Sequence, residues 1–306
     1  MTNTLRGIVT VLNVPFTADD SIDLSGLQRN VQNAMDAGVA GFLVPAMASE
    51  VDHLSLAEKR DIVSLVVSES KKGQTVVIGG ASAQARERRL YLAREFVELG
   101  CDGVLVQMDA QTDPDVIERE LAEISALKPE LLMVQDWDST GSGIPVSTIV
   151  RLFERVERFN WLKIEVNAAG PKYSEVLKAT NGELNVAGGW AVTKMIDGLD
   201  RGVHAFMPTG MHLIYVEIHR RYATGDRAGA TELFERIQPV LAFSNQSLEI
   251  SIRFFKRLLH AQGVYATADV RIGGKPLNTD QEEVANKLIS NVTQIEDRLS
   301  ALQGRS

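Results

Sequence analysis

The chain has 306 residues, 44% of them hydrophobic and 24% charged, which is ample material for a large core and long enough for one α/β barrel with an appendage. A net charge of −8 offers phosphate backbones no broad basic field, which excludes nucleic acid as a partner. The single cysteine, Cys101, excludes an internal disulfide framework, and no run approaches the roughly 20 apolar residues that cross a bilayer, so a cytoplasmic protein is expected.

Short β-branched runs alternate with amphipathic helical segments as far as about residue 224. The runs predict strands at 7–14, 41–45, 75–80, 103–107, 131–135, 161–166, 185–189 and 203–208. A glycine separates helix from following strand at Gly38, Gly73, Gly100, Gly182 and Gly202, where a left-handed C-cap suits a residue without a Cβ. Cys101, between Gly100 and a strand, reads as a small buried hydrophobe. Helix starts are marked by the capping box Ser55-Leu-Ala-Glu58 and by Thr112-Asp-Pro-Asp115, with proline at the first helical position.

Repeated β-α units about 28 residues apart predict a parallel sheet with right-handed crossovers. Eight of them favour an α/β fold of (β/α)8 TIM-barrel type over 1–225, with a doubly wound open sheet as the alternative. Beyond Gly225 the strand runs stop, and helices are predicted at 226–244, 246–262 and 280–302. They form a C-terminal three-helix extension, 226–306, whose last helix follows a capping box at Thr279-Asp-Gln-Glu282. The basic stretch Arg253-Phe-Phe-Lys-Arg257 reads as one amphipathic turn with a solvated face.

Barrel chemistry sits at the C-terminal ends of the strands. Those ends carry Asn13, Pro45-Ala-Met-Ala-Ser-Glu50, Gly79-Gly80, Gln107-Met-Asp109, Gln135-Asp-Trp-Asp138, Lys163 with Glu165, Gly188-Gly-Trp190 and Pro208-Thr-Gly210. Lysine inside an apolar strand is costly unless it loses its proton or finds a partner, and an uncharged amine is a nucleophile toward a carbonyl. Alternation puts Lys163 and Glu165 on one face of WLKIEV and Leu162, Ile164 and Val166 on the other. A lumen-facing catalytic Lys163 and an outward Lys163 paired to a helix both remain open on pattern alone.

No P-loop and no Gly-x-Gly-x-x-Gly follows a strand, and the five histidines show no ligand spacing, so neither a cofactor nor a zinc site is expected. The carboxylates Glu50, Asp109, Asp136, Asp138 and Glu165 could instead hold Mg²⁺ beside a lysine base in enolising chemistry. Asp138 reads better as a cap for the polar loop DWDSTGSG, and Trp137 and Trp190 as either substrate walls or packing.

The opening GIVTVLNVPFTADDSIDLSGL, the segment GVAGFLVPAMASEVDHLSLAEKRDIV and the Lys-bearing WLKIEV, at their mutual spacing, resemble the dihydrodipicolinate synthase and N-acetylneuraminate lyase family from about residue 6 to 290. The resemblance implies a (β/α)8 barrel with a C-terminal helical domain, a homo-oligomer (tetramer or dimer), and a sixth-strand lysine, here Lys163, forming a Schiff base with a small 2-oxo acid. Departures narrow it. Where the family has Gly-Thr-Thr-Gly-Glu for the substrate carboxylate, this chain has Ala46-Met-Ala-Ser-Glu50, and where it has Tyr-Asn-x-Pro, this chain has Gln135-Asp-Trp-Asp138. The Ser-Glu after strand two, Met-Val-Gln-Asp, Lys-Ile-Glu and the Trp190 segment look like the 2-keto-3-deoxy-L-arabonate dehydratase branch.

The resemblance therefore implies a catalytic set of Lys163, Gln135, Glu50 and Glu165, with Ala48, Ser49, Asp136, Gly188, Gly189, Trp190 and Thr209 on the substrate. Ser49, Glu50, Asp136 and Glu165 compete for the proton shuttle. Gln135 can hydrogen-bond a substrate hydroxyl but cannot act as a base. Dehydration of a 2-keto-3-deoxy sugar acid is the leading expectation. Retro-aldol cleavage, deamination of a cyclic imino acid and a non-catalytic binding relative are the alternatives.

Overall fold

The computed structural model describes residues 5–73, 75–189, 192–302 and 304. Among these residues, parallel strands β1 (Gly7–Val11), β2 (Gly41–Val44), β3 (Val76–Gly80), β4 (Gly103–Met108), β5 (Leu131–Asp138), β6 (Phe159–Val166), β7 (Asn185–Gly188) and β8 (Ala205–Phe206) close into a barrel in chain order. The closing pair sets Gly7 opposite Ala205 and Ile8 opposite Phe206. Helices α1 (Leu24–Ala37), α2 (Leu56–Gly73), α3 (Arg86–Glu98), α4 (Pro114–Ser125), α5 (Val146–Arg155), α6 (Ala169–Ala179), α7 (Met195–Asp200) and α8 (His212–Ala223) follow the strands in turn. This is the expected (β/α)8 TIM barrel, extended by α9 (Arg227–Ser244), α10 (Leu248–Ala261) and α11 (Thr279–Leu302).

Two compact units make up the chain. The first comprises 1–9, 40–44 and 74–207, and so holds nearly all the strands with α3 to α7. Its core is the row of apolar side chains on successive strands, among them Phe42, Ile78, Val104, Val134, Leu162 and Val186, all fully buried. The second comprises 10–39, 45–73 and 208–306, with α1, α2 and α8 to α11. Phe16, Phe254, Phe255 and Tyr265 fill its interior. The expected boundary at residue 225 falls inside this second unit.

Local signals act largely as the sequence suggested. Asp23 accepts from the Gly26 N–H at the start of α1, and Gly38 ends it with φ of 96°, a left-handed turn disfavoured for any residue with a Cβ. The Ser55 and Glu58 side chains cap each other's backbone N–H, and Pro114 is the first residue of α4. Four details differ. Helix α2 runs on through Gly73 instead of turning there. The box that opens α11 is Asn278 with Gln281, one residue earlier than Thr279 with Glu282, because Asn278 is the residue that stands outside the helix with its Oδ1 toward the first turn. Strand β5 continues through Asp138. Lys256, placed on a solvated face by its neighbours, is fully buried. No helix of the described residues is long and apolar enough to cross a membrane.

Candidate active site

Lys163 and Gln135 are register partners across β5 and β6, so their side chains leave the sheet on the same side. Glu165, two residues on, shares that side. Ile164 and Val166 point the other way, lining a space with Tyr173 of α6, so the Lys163 side faces the barrel interior. Lys163 Nζ lies 3.2 Å from Glu165 Oε1, and the Gln135 amide donates to Glu165 Oε2. All three are buried, at 5%, 7% and 8% exposure for Lys163, Gln135 and Glu165, so the pair is held out of bulk water where electrostatic coupling is strong.

The end of β7 makes room for this arrangement. A Cβ on Gly189 would lie 2.2 Å from Glu165 Oε1 and 2.4 Å from its Cγ, so only glycine lets the carboxylate stand beside Lys163. Gly188 is packed against Phe206 and the Tyr173 hydroxyl in the same manner. Trp190, expected on the substrate, lies outside the described residues. Thr209 follows β8 in the second unit and is half-buried.

Asp136 has a different employment. It is fully buried, with Lys172 Nζ 2.5 Å from Oδ2 and the Ile144 N–H donating to Oδ1 at 2.8 Å. Burial raises its pKa, against the opposing pull of Lys172. Lys172 also donates to the carbonyls of Ser142 and Ile144. Asp138 accepts from the N–H groups of Thr140, Gly141 and Gly143, which holds its carboxyl below the usual range. These two acids and Lys172 thus fold the loop 139–144 onto the end of β5. The capping reading of Asp138 is met, and Asp136 is committed to the same loop. Trp137, between them, is 40% exposed.

In the second unit, the segment after β2 forms two 3-10 turns, Met47–Ser49 and Val51–His53. Ser49 is fully buried, with its hydroxyl donating to Leu12 O at 2.6 Å and accepting from Ala46 N at 3.0 Å, so its hydrogen bonds close the turn. The Ala48 carbonyl accepts from Asn13 Nδ2 at 2.8 Å. Glu50 adopts φ 57°, ψ 43°, a left-handed conformation disfavoured for a residue with a side chain. It is held there by Lys256, which donates to Oε1, and by the N–H groups of Arg271 and Ile272 on Oε2. Lys256 donates further to Asp269 O at 2.8 Å and stands 4.0 Å from the Phe16 ring centroid. Burial pulls its ammonium down to about 8, with Glu50 opposing.

Behind this turn runs a buried polar chain of the same unit. His212 Nε2 meets Asn30 Oδ1 at 3.0 Å and its Nδ1 meets Thr10 Oγ1 at 3.2 Å. Because an amide oxygen only accepts, a ring proton belongs on Nε2, and burial, which pulls the imidazole down to about 4, keeps it neutral. Asn30 then donates to the Tyr265 hydroxyl, which donates to Asn13 O at 2.9 Å.

Of the sequence-predicted set, the structure brings together Lys163, Gln135, Glu165 and Gly189, and in the other unit Ala48, Ser49 and Glu50. Lys172 and Lys256 were missed. Each lies in a helix with an acidic partner remote in sequence, Glu50 being 206 positions from Lys256, so no local spacing announces it. Enolising chemistry on Mg²⁺ would require several oxygen ligands around one point. Among the described residues no three His, Cys, Asp or Glu side chains gather so.

Comparison with known proteins agrees with the fold. The chain is 30% identical over 180 residues to 4-hydroxy-tetrahydrodipicolinate synthase of Methanosarcina mazei, spanning 60% of that protein's length. A full-length match, 24% identical over 94% of this chain and 96% of the relative, is to the enzyme of the same name from Methanococcoides burtonii. The crystal structure of dihydrodipicolinate synthase from Rhodopseudomonas palustris superposes with a TM-score of 0.86 at 20% identity, covering 95% of this chain and 99% of that one. The model of the Dihydrodipicolinate synthetase family matches residues 4–295, and the chain belongs to that family.

Proposed function

We propose that the protein is a Schiff-base lyase acting on a small 2-oxo acid, with Lys163 as the imine-forming amine. The observation that carries this is the buried Lys163 on β6, 3.2 Å from Glu165, whose second oxygen is fixed by Gln135. The Lys163 amine, on releasing its proton, adds to the C2 ketone, and that proton leaves with the carbinolamine hydroxyl as water when the iminium forms. The iminium withdraws electrons from the C3–H bond. Glu165 takes that proton, and the enamine electrons expel the C4 hydroxyl, which departs as water on receiving a proton. Hydrolysis of the resulting conjugated iminium frees the dehydrated acid and restores Lys163.

Glu165 is preferred as shuttle because its rivals are engaged elsewhere: Ser49 in its own turn, Glu50 with Lys256, Asp136 with Lys172. Gln135 orients Glu165 and stands where the family tyrosine would otherwise be. A 2-keto-3-deoxy sugar acid is the substrate class that the altered strand-two and strand-five motifs favour. The synthase named among the relatives supports a second reading, in which the same enamine makes or breaks a carbon–carbon bond. A homo-oligomer, tetramer or dimer, goes with either.

Borohydride reduction in the presence of pyruvate is expected to add the three-carbon fragment at Lys163, read by peptide mass, and Lys163→Arg to abolish it. Absence of the adduct overturns the proposal. Glu165→Gln is expected to keep the adduct while slowing turnover about 10²–10⁴-fold. Water loss against pyruvate release, measured on a panel of 2-keto-3-deoxy acids, separates the two readings.

A further inference from the structure

The interior face of the first unit can be followed strand by strand at the level of Lys163. Lys163 pairs in register with Gln135 on β5, and Gln135 with Gln107 on β4. In the other direction Lys163 pairs with Ala187 on β7, and Ala187 with Ala205 on β8. Register partners in a parallel sheet leave it on the same side, so these five side chains share the interior face. All belong to the first unit. One step below, the same face carries Leu105, Met133 and Trp161, a buried apolar floor.

At this level the interior is lined by small methyl groups on one flank and by two amides and an amine on the other. The Gln135 amide already donates to Glu165 Oε2. Gln107 has no such commitment. Its backbone N–H is tied to Ser82 Oγ at 3.1 Å, which fixes the end of β4 against the segment after β3, while its side chain makes no hydrogen bond among the described residues. Gln107 is half-buried, between Val106 and Met108, which take the opposite face and are closed off from solvent. An amide both donates and accepts and carries no charge, so it matches a hydroxyl, which does the same, and offers an ion no counter-charge.

We infer that Gln107 is a specificity-determining residue, its side-chain amide hydrogen-bonding a hydroxyl of the 2-oxo acid beyond C4. The inference rests on the lyase proposal, since Lys163 anchors the other end of the ligand. Adjacent strands lie about 4.8 Å apart, so the Gln107 backbone stands roughly 10 Å from that of Lys163, with Gln135 between. A carbon chain that begins at the Lys163 imine, with C3 and C4 beside Glu165 and Gln135, brings its next carbon toward the Gln107 amide. A bound acid covers that amide, so an acid without the hydroxyl leaves it facing carbon instead of water.

The test uses 5-hydroxy-2-oxopentanoate and 2-oxopentanoate, equal in chain length and differing in that hydroxyl alone. Neither has a C4 hydroxyl to lose, so each stops at the imine. Borohydride trapping at Lys163, read by peptide mass over a concentration series, gives the half-saturating concentration of each acid. The wild type is expected to favour the hydroxy acid. Gln107→Leu is expected to raise the half-saturating concentration of the hydroxy acid about five- to tenfold, the worth of one hydrogen bond, and to leave 2-oxopentanoate where it was. Where the leucine variant does not fold, Gln107→Met, unbranched and of similar length, takes its place. A wild type that does not discriminate overturns the inference, and so does a variant that weakens both acids alike, the result that a structural role alone would give. In both cases the adduct still forms and the lyase proposal stands. No adduct with either acid in the wild type removes the lyase proposal, and this inference with it.

Discussion

Lys256→Met tests whether the Glu50 ion pair is what holds the turn after β2. Lys256 is 0% exposed and Glu50 2%, so the substitution leaves a buried carboxylate with two backbone N–H donors but no counter-charge. Breaking a buried pair from one side costs about 3–5 kcal/mol, whereas replacing both partners by groups of similar volume is often neutral. At about 2–4 °C per kcal/mol for chains of 150–250 residues, the single variant should melt about 6–20 °C lower. The added strain of Glu50 at φ 57° places the loss toward the upper end, because only the Arg271 and Ile272 N–H groups then hold the left-handed conformation. The assay is thermal unfolding of the wild type, Lys256→Met, Glu50→Gln and the double variant, followed by circular dichroism. The double variant should recover most of the loss. If the single Lys256 variant melts no lower than the double one, the pair contributes nothing by its charge and the reasoning fails.

The same approach extends to other positions. Burial pulls His212 down from 6.5 to about 4, so the unfolded chain binds the proton first on acidification. Stability is then fully present above pH 6.5 and falls toward pH 4 by about 3 kcal/mol, and His212→Gln should flatten that slope in urea titrations, an unchanged slope counting against it. Gly189→Ala should leave the fold intact but displace Glu165, so turnover should drop while the Lys163 adduct still forms. Full activity would mean that Glu165 is not the shuttle. The Cys101 thiol is pushed up to about 12 by burial, with Asp102 adding to it, so iodoacetamide should spare it at pH 8 in the native protein and label it in urea. Labelling at equal rates in both would contradict its burial.

The strands were legible because a barrel strand buried on both sides reads as a β-branched run, and the run boundaries fell within a few residues of β2, β3, β4 and β6. Strand β5 was read three residues short at its polar end. Asp136 and Asp138 look like loop residues in isolation, and they stay in the strand only because Lys172 and the loop amides satisfy them. Strand β8 was read long, since 203–208 is apolar except for His204 while only Ala205 and Phe206 meet their neighbours' ladders. At the site, Lys163 and Glu165 were visible as charges out of place in a strand. Ser49 and Glu50 were equally visible, but what occupies them was not, because Leu12, Lys256 and Arg271 are brought to them by the fold. The same cause hid Lys256 itself: two flanking phenylalanines and two arginines suggested a solvated stripe, and only its three-dimensional partner explains a buried ammonium there.

The tie between Asp136, Lys172 and the carbonyls of Ser142 and Ile144 bears on how such a barrel can be re-engineered. Loops at strand ends are usually treated as exchangeable parts, each owned by the strand that precedes it. Here the 139–144 segment is fastened by a side chain from α6, the helix of the following β-α unit. Transplanting that loop alone would leave Lys172 and Asp136 in the interior with only each other, the Ile144 N–H and the two loop carbonyls having gone with the loop. The smallest cassette that can be moved between relatives is therefore the whole run from β5 to α6, and a new substrate preference grafted at this mouth must travel with the strand that bears Lys163.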